Sequence, residues 1–143
     1  MNTKHEFVLD NSITMSWCFP EEQDPYALEV LKALPKALAV VPTIWPLEVS
    51  NILLVGERRS RITQSDSATF LGILGSLPIT VEAETTDHAF GSMLSLARAQ
   101  SLSSYDAAYL ELAMRRGLPL AALDGKLKTA AVAVGVPLYV CRR

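Results

Sequence analysis

The sequence predicts an α/β fold, a three-layer α/β/α sandwich with a mainly parallel central sheet of about five strands. Two observations carry this expectation. Five short, nearly continuous apolar runs recur at residues 7–9, 39–41, 79–81, 120–123 and 138–140. Such runs suit parallel strands covered on both faces better than half-exposed strands, which alternate. Between them lie segments with apolar residues at helical spacing, and this alternation builds a sheet flanked by helices.

Six helices follow in order. The first opens at Asp24, whose carboxylate caps free amides, with Pro25 at the first helical position, and runs to about Leu34 before Pro35. A second covers about 44–59. A third, 65–76, ends before Pro78, and a fourth runs from Thr86 to about Gln100. The fifth starts at Ser103 or Ser104 and continues to Arg116, where Gly117 stops it, and a sixth over 126–134 is closed by Gly135. No repeat or linker interrupts the chain, so residues 1–143 read as one domain with one core.

Composition narrows the function classes. The chain is 50% apolar and 20% charged, which suits a packed globule. Cys18 and Cys141 belong to no metal-binding spacing and are expected to be reduced thiols. The start, MNTKHEF, has no apolar export core, and residues 37–47, the longest apolar stretch, are broken by Pro42 and Pro46; a cytoplasmic protein without a membrane span is expected. A formal charge of −2 argues against a generic polyanion binder, but adding two divalent cations to −2 brings the chain to about +2. No dinucleotide, P-loop or hydrolase-elbow motif is present; Gly125-Lys126 is only a P-loop fragment and reads as a turn at a helix start.

The chain has fifteen acidic residues, and four of them sit where charge is costly. Glu21, Glu22, Asp24, Glu57, Glu82, Glu84 and Asp87 lie in polar stretches or at helix starts, where solvent or the helix dipole accounts for them. Asp10 instead follows the apolar strand at 7–9, and Asp124 follows the run at 120–123. Both therefore stand at carboxyl ends of strands, where open α/β sheets bind ligands. Glu48 has Ile44, Trp45, Asn51, Ile52 and Val55 as its helical neighbours. Asp106 shares a face with Leu102, Ser103, Tyr109, Leu110 and Ala113, while Glu111 falls on another face and is expected to be solvated. A carboxylate removed from water must be protonated, paired with a cation, or bound to metal. Arg58, Arg59 and Arg61 cluster at the end of the second helix, and Arg115 and Arg116 end the fifth, so metal is the expected partner of the four acids. Oxygen ligands favour Mg²⁺ or Mn²⁺, and His5 and His88 are too isolated to suggest zinc.

The segments FVLDNSITMSWCFPEE, PTIWPLEVSNIL, LSSYDAAYLELAMRRGLPLAALDGKL and AAVAVGVPLY resemble, in order and spacing, the PIN-domain ribonucleases, especially VapC-type toxins of toxin–antitoxin pairs. The resemblance runs almost end to end. It implies a PIN-like sandwich and a metal-dependent endoribonuclease, with Asp10, Glu48, Asp106 and Asp124 as metal-binding catalytic acids and Mg²⁺ or Mn²⁺ as cofactor. It implies a homodimer held inactive by a cognate antitoxin, with RNA as substrate. Family precedent also puts a hydroxyl near the site, and Ser12 matches it; Ser103, beside Asp106, is a second supporting residue. Lys126 and Lys128 follow Asp124 and are candidate RNA-phosphate contacts, as are Arg58, Arg59 and Arg61.

Where many relatives carry a hydroxyl or amide residue two positions before the last Asp, this chain has Ala122. Fewer supporting groups there weaken the case for a second metal. That departure motivates an alternative, a PIN-fold regulator of weak or no activity that binds a protein partner or RNA. Trp17, Phe19, Tyr26 and Trp45 are read either as core or as a surface for a second copy or antitoxin.

Overall fold

A computed structural model describes residues 5–141. Residues 1–4, the start of the MNTKHEF segment expected to lack an export core, lie outside the described residues.

Strands β1 (His5–Leu9), β2 (Ala37–Val41), β3 (Ile79–Val81) and β4 (Leu120–Ala121) form one sheet in the order β3-β2-β1-β4, and every pairing is parallel. Val8 at the centre pairs with Val40 on one side and Leu120 on the other. Phe7, Val8 and Leu9 are wholly buried, as a strand covered on both faces requires. The chain leaves β1 toward β2 and β3, then returns to the far side of β1 for β4. Open α/β sheets bind ligands in the crevice at such a reversal, which here falls at the carboxyl ends of β1 and β4.

The expected fifth strand at 138–140 is reduced to one parallel bridge between Leu138 and Leu120. Pro137 has no amide with which to extend the ladder, and Val140 turns out to solvent. Between them Tyr139 stacks its ring on Phe7, with centroids 4.1 Å apart and planes at 14°. Its carbonyl accepts a 2.6 Å hydrogen bond from the Tyr26 hydroxyl, which together with two backbone hydrogen bonds to Leu120 holds this segment.

Among the described residues seven α-helices flank the sheet. They are α1 (Asn11–Cys18), α2 (Pro25–Ala33), α3 (Ile44–Arg58), α4 (Gln64–Ser76), α5 (Leu94–Gln100), α6 (Ser104–Arg116) and α7 (Gly125–Ala133). None is long and apolar enough to cross a membrane. Asp24 caps α2 through Tyr26 N at 2.8 Å, and Pro25 occupies its first turn. Thr63 and Asp66 form a capping box on α4, while Gly117 ends α6 with φ +64°, a left-handed conformation that favours glycine.

Helix α1 does not follow from sequence reasoning. Its residues, including β-branched Ile13 and Thr14 with two serines, are modest helix formers, so burial decides the matter. Ile13, Thr14 and Ser16 are buried, Trp45 Nε1 donates to Thr14 Oγ1 at 3.0 Å, and the Ser16 hydroxyl donates to the Glu22 carbonyl at 2.7 Å. The expected fourth helix, 86–100, is also broken. A 3₁₀ turn at Thr85–His88 and a wide turn at Ala89–Met93 precede α5, with Gly91 at φ −107°, ψ −105° and Phe90 exposed. Only α5 keeps regular helical geometry, because Gly91 tolerates a backbone conformation that interrupts the ladder.

The four questioned aromatics pack inward. Phe19 and Trp45 are core residues, and Trp17 and Tyr26 lie against the core with their polar atoms bonded to Ala27 O and Tyr139 O. Glu111 corrects a sequence expectation. It is only 5% exposed, and Arg115 Nε reaches its Oε2 at 2.9 Å, with further bonds at 3.1 and 3.2 Å. Arg115 also bonds Glu82 and lies 3.6 Å from Glu84, tying the end of β3 to α6. Helical spacing places Glu111 off the Asp106 face but not in solvent, because α6 is covered on more than one side.

Arg115→Met leaves buried Glu111 without its cation and is expected to cost about 3–5 kcal/mol. Arg116→Met breaks the 3.1 Å pair with Glu6, which is one-third exposed, and is expected to cost under about 1 kcal/mol. Urea unfolding of the two variants checks the contrast, and equal small losses would show that the buried pair does not hold α6.

Candidate functional site

The crevice is built from residues at helix starts. Asp10 follows β1, and its amide donates to the Ala121 carbonyl at 2.9 Å, carrying the β1–β4 pairing one residue past the strand. The same residue caps α1: Oδ2 accepts from Ser12 N at 3.2 Å and from Ser12 Oγ at 2.5 Å. Ser12 Oγ in turn accepts from Leu123 N at 2.9 Å. One hydroxyl thus ties the end of β1 to the loop that carries Asp124. Asp124 caps α7, its Oδ1 accepting from Lys126 N at 3.4 Å.

Two helices bring the other acids. Asp106 lies in the first turn of α6, where Ser103 is the N-cap and Ser103 Oγ accepts from Asp106 N at 3.1 Å. Glu48, half-buried on α3, accepts a 2.5 Å hydrogen bond at Oε1 from the hydroxyl of Tyr109, three residues after Asp106 on α6. Tyr109 was legible in the sequence only as a neighbour of Asp106. Its contact with Glu48 needs α3 and α6 side by side, which no local pattern encodes.

Electrostatics show which acids meet. Burial raises the Asp10 carboxyl to about 6; hydrogen bonds from Ser12 and the Asn11 amide oppose this, and the charge of Asp106 adds to it. Burial also raises Glu48, Tyr109 lowers it, and Asp10 and Asp106 raise it further. Asp106 is raised by burial and by Asp124, with Lys126 and Ser103 pulling the other way. Tyr109 is driven far above the ordinary phenol range, first by burial and then by Glu48. The charge of Asp106 thus reaches Asp10 and Glu48, that of Asp10 reaches Glu48, and that of Asp124 reaches Asp106. None of the four enters an ion pair among the described residues.

Among the described residues, no group of three or more His, Cys, Asp or Glu side chains is placed to hold one metal ion. The donor chemistry nevertheless fits a hard cation. All four groups are oxygen donors, they enter no ion pair among the described residues, and Asn11 Oδ1, next to Asp10 in the chain, is buried with no hydrogen-bond partner. Mg²⁺ is commonly held by one or two carboxylates and keeps several waters, so a pair such as Asp10 and Asp106 suffices without a protein cage.

The basic candidates separate. Lys126 is exposed at the start of α7 and acts on Asp106, and Lys128 is half-buried on the same helix. Arg58 and Arg59 are exposed at the end of α3. Arg61 is engaged elsewhere: it bonds Glu21 at 2.6 Å and Glu22 at 2.8 Å, and its guanidinium lies 4.0 Å from the Phe19 ring centroid. A cavity of about 530 Å³ between α3 and α4, lined by Trp45, Val49, Leu53, Leu71 and Leu74 among others, contains none of the four acids.

The raised Asp10 carboxyl has a definite sign. Below pH ~4 it is protonated in both folded and unfolded chains and costs nothing. As pH climbs from 3.8 to about 6 the unfolded chain ionises first, so stability falls, by about 3 kcal/mol once pH exceeds 6. In EDTA, Asp10→Asn is therefore expected to melt above wild type at pH 7.5, with the gap closing near pH 4. A lower Tm for the variant at pH 7.5 would mean that the Asp10 charge is already compensated.

Neither a family model nor a curated protein sequence matches the chain. Solved structures do. PAE2754 from Pyrobaculum aerophilum is similar at a TM-score of 0.64 and 20% identity, over 90% of this chain and 87% of that one. The Mycobacterium tuberculosis VapC20, a toxin that cleaves the sarcin-ricin loop, is similar at a TM-score of 0.60 and 17% identity, over 87% of this chain and 94% of its own. This chain therefore shares the fold of PAE2754 and VapC20.

Proposed function

We propose that the chain is a metal-dependent endoribonuclease, the toxin of a type II toxin–antitoxin pair, working in the cytoplasm as a single-domain homodimer. One observation carries the reading. Asp10, Glu48 and Asp106 are remote in sequence, yet burial and a neighbouring carboxylate raise each of them, and among the described residues no lysine or arginine forms an ion pair with them. Structural carboxylates in this fold are handled differently, as Glu111 and Glu82 on Arg115 illustrate. The fold shared with VapC20 supports the same reading.

Asp10 and Asp106 would hold Mg²⁺ or Mn²⁺, with Glu48 and Asp124 completing the negative surroundings. A bound ion supplies positive charge to an RNA phosphate and a more acidic water for in-line attack. The chain's own groups prepare the place. Ser12 holds Asp10 through one oxygen and keeps the Asp124 loop against it. Ser103 orders the turn that carries Asp106. Lys126, and less directly Lys128, would place positive charge where flanking phosphates pass. The antitoxin would act by covering this crevice.

A regulator of little or no activity is the second reading, favoured by the lack of a three-carboxylate cage among the described residues and by Ala122. One experiment separates the two. Single-stranded RNA is incubated with the purified chain in Mn²⁺ or Mg²⁺, with EDTA as control, and Tm is followed as metal is added. The nuclease is expected to cut only with metal and to gain about 2.7 kcal/mol of stability at a metal concentration of 100 Kd. Asp10→Asn and Asp106→Asn are each expected to lose at least about a hundredfold in rate. Wild-type cleavage by either variant, or no metal effect on rate or Tm, would exclude the nuclease.

A further inference from the structure

We infer that Tyr109 is a positioning residue: its hydroxyl holds one oxygen of Glu48 and fixes that carboxylate's charge beside the cation that Asp10 and Asp106 would hold, an inference that rests on the nuclease reading above. Asp106 and Tyr109 are three positions apart on α6, so one helix face carries both. The Tyr109 side chain is wholly buried, and packing on all sides fixes where its hydroxyl stands. From there it crosses to α3 and donates to Glu48 Oε1 at 2.5 Å. Among the described residues Oε2 accepts no hydrogen bond, and Glu48 forms no ion pair.

A half-exposed glutamate on a helix has several rotamers, and holding it for a ligand normally costs side-chain freedom at the moment of binding. A rigid donor meets that cost during folding. The chemistry of the donor matters as well. A phenol gives a single proton and brings no charge, whereas lysine or arginine would neutralise the carboxylate and compete with the cation. Glu48 is otherwise the least restrained of the acids, since Asp10 and Asp124 are held as helix caps and Asp106 sits in a capped first turn.

Tyr109→Phe removes one oxygen and keeps the ring, so the core stays filled. Mn²⁺ binding is measured by calorimetry without RNA, and Tm without metal, for wild type, Tyr109→Phe, Glu48→Gln and the double variant. Tyr109→Phe is expected to weaken Mn²⁺ binding about tenfold while Tm stays within about 4 °C of wild type. In the Glu48→Gln background the same change is expected to weaken binding no further, since the two residues act as one unit. Unchanged Mn²⁺ affinity in Tyr109→Phe overturns the inference, as does an equal loss in both backgrounds. A Tm fall of more than about 10 °C makes Tyr109 a structural residue and overturns it too. A wild-type chain that neither binds Mn²⁺ nor cuts RNA removes the nuclease reading itself, a different outcome from a metal-binding wild type that is indifferent to Tyr109.

Discussion

Like charges held together, half out of water, are the constraint on which this structure turns. Burial raises Asp10, Glu48 and Asp106, and the charge of a neighbouring carboxylate adds to the rise of each. The fold tolerates this with neutral devices. Helix starts face Asp10, Asp106 and Asp124, so amide groups and dipoles compensate part of the charge. Ser12 and Tyr109 add hydroxyl donors without adding cations. What remains uncompensated is an attraction for positive charge, which a binding site needs and a stable core does not.

Elsewhere the same chain treats carboxylates in the opposite way. Arg115 gathers Glu111, Glu82 and Glu84, and Arg61 gathers Glu21 and Glu22 while lying over Phe19. These pairs fasten α6 to the end of β3 and the 3₁₀ turn after α1 to the segment that follows α3. A neighbouring arginine thus distinguishes these acids from those of the crevice.

Much of the fold was legible along the chain. Four of the five apolar runs became strands, because continuous hydrophobicity is what a doubly covered parallel strand needs. Caps and stops at Asp24, Ser103 and Gly117 behaved as local chemistry dictates. The failures also have causes. Helix α1 has weak intrinsic preference and exists through its burial against α3, Gly91 broke a helix whose apolar spacing was otherwise regular, and Pro137 confined the last run to a single bridge.

By itself the sequence determined the layered α/β class and singled out Asp10, Glu48, Asp106 and Asp124, because an acid beside an apolar run or on an apolar helix face is visible without coordinates. Only the tertiary structure decided which of these acids meet, that Ser12 joins β1 to the last loop, that Tyr109 reaches Glu48, and that Glu111 is buried on Arg115 rather than solvated. The reason is geometric. Periodicity reports the face of an element on which a side chain lies, whereas a partner on another element is set by sheet order and helix packing, which bring together residues dozens of positions apart.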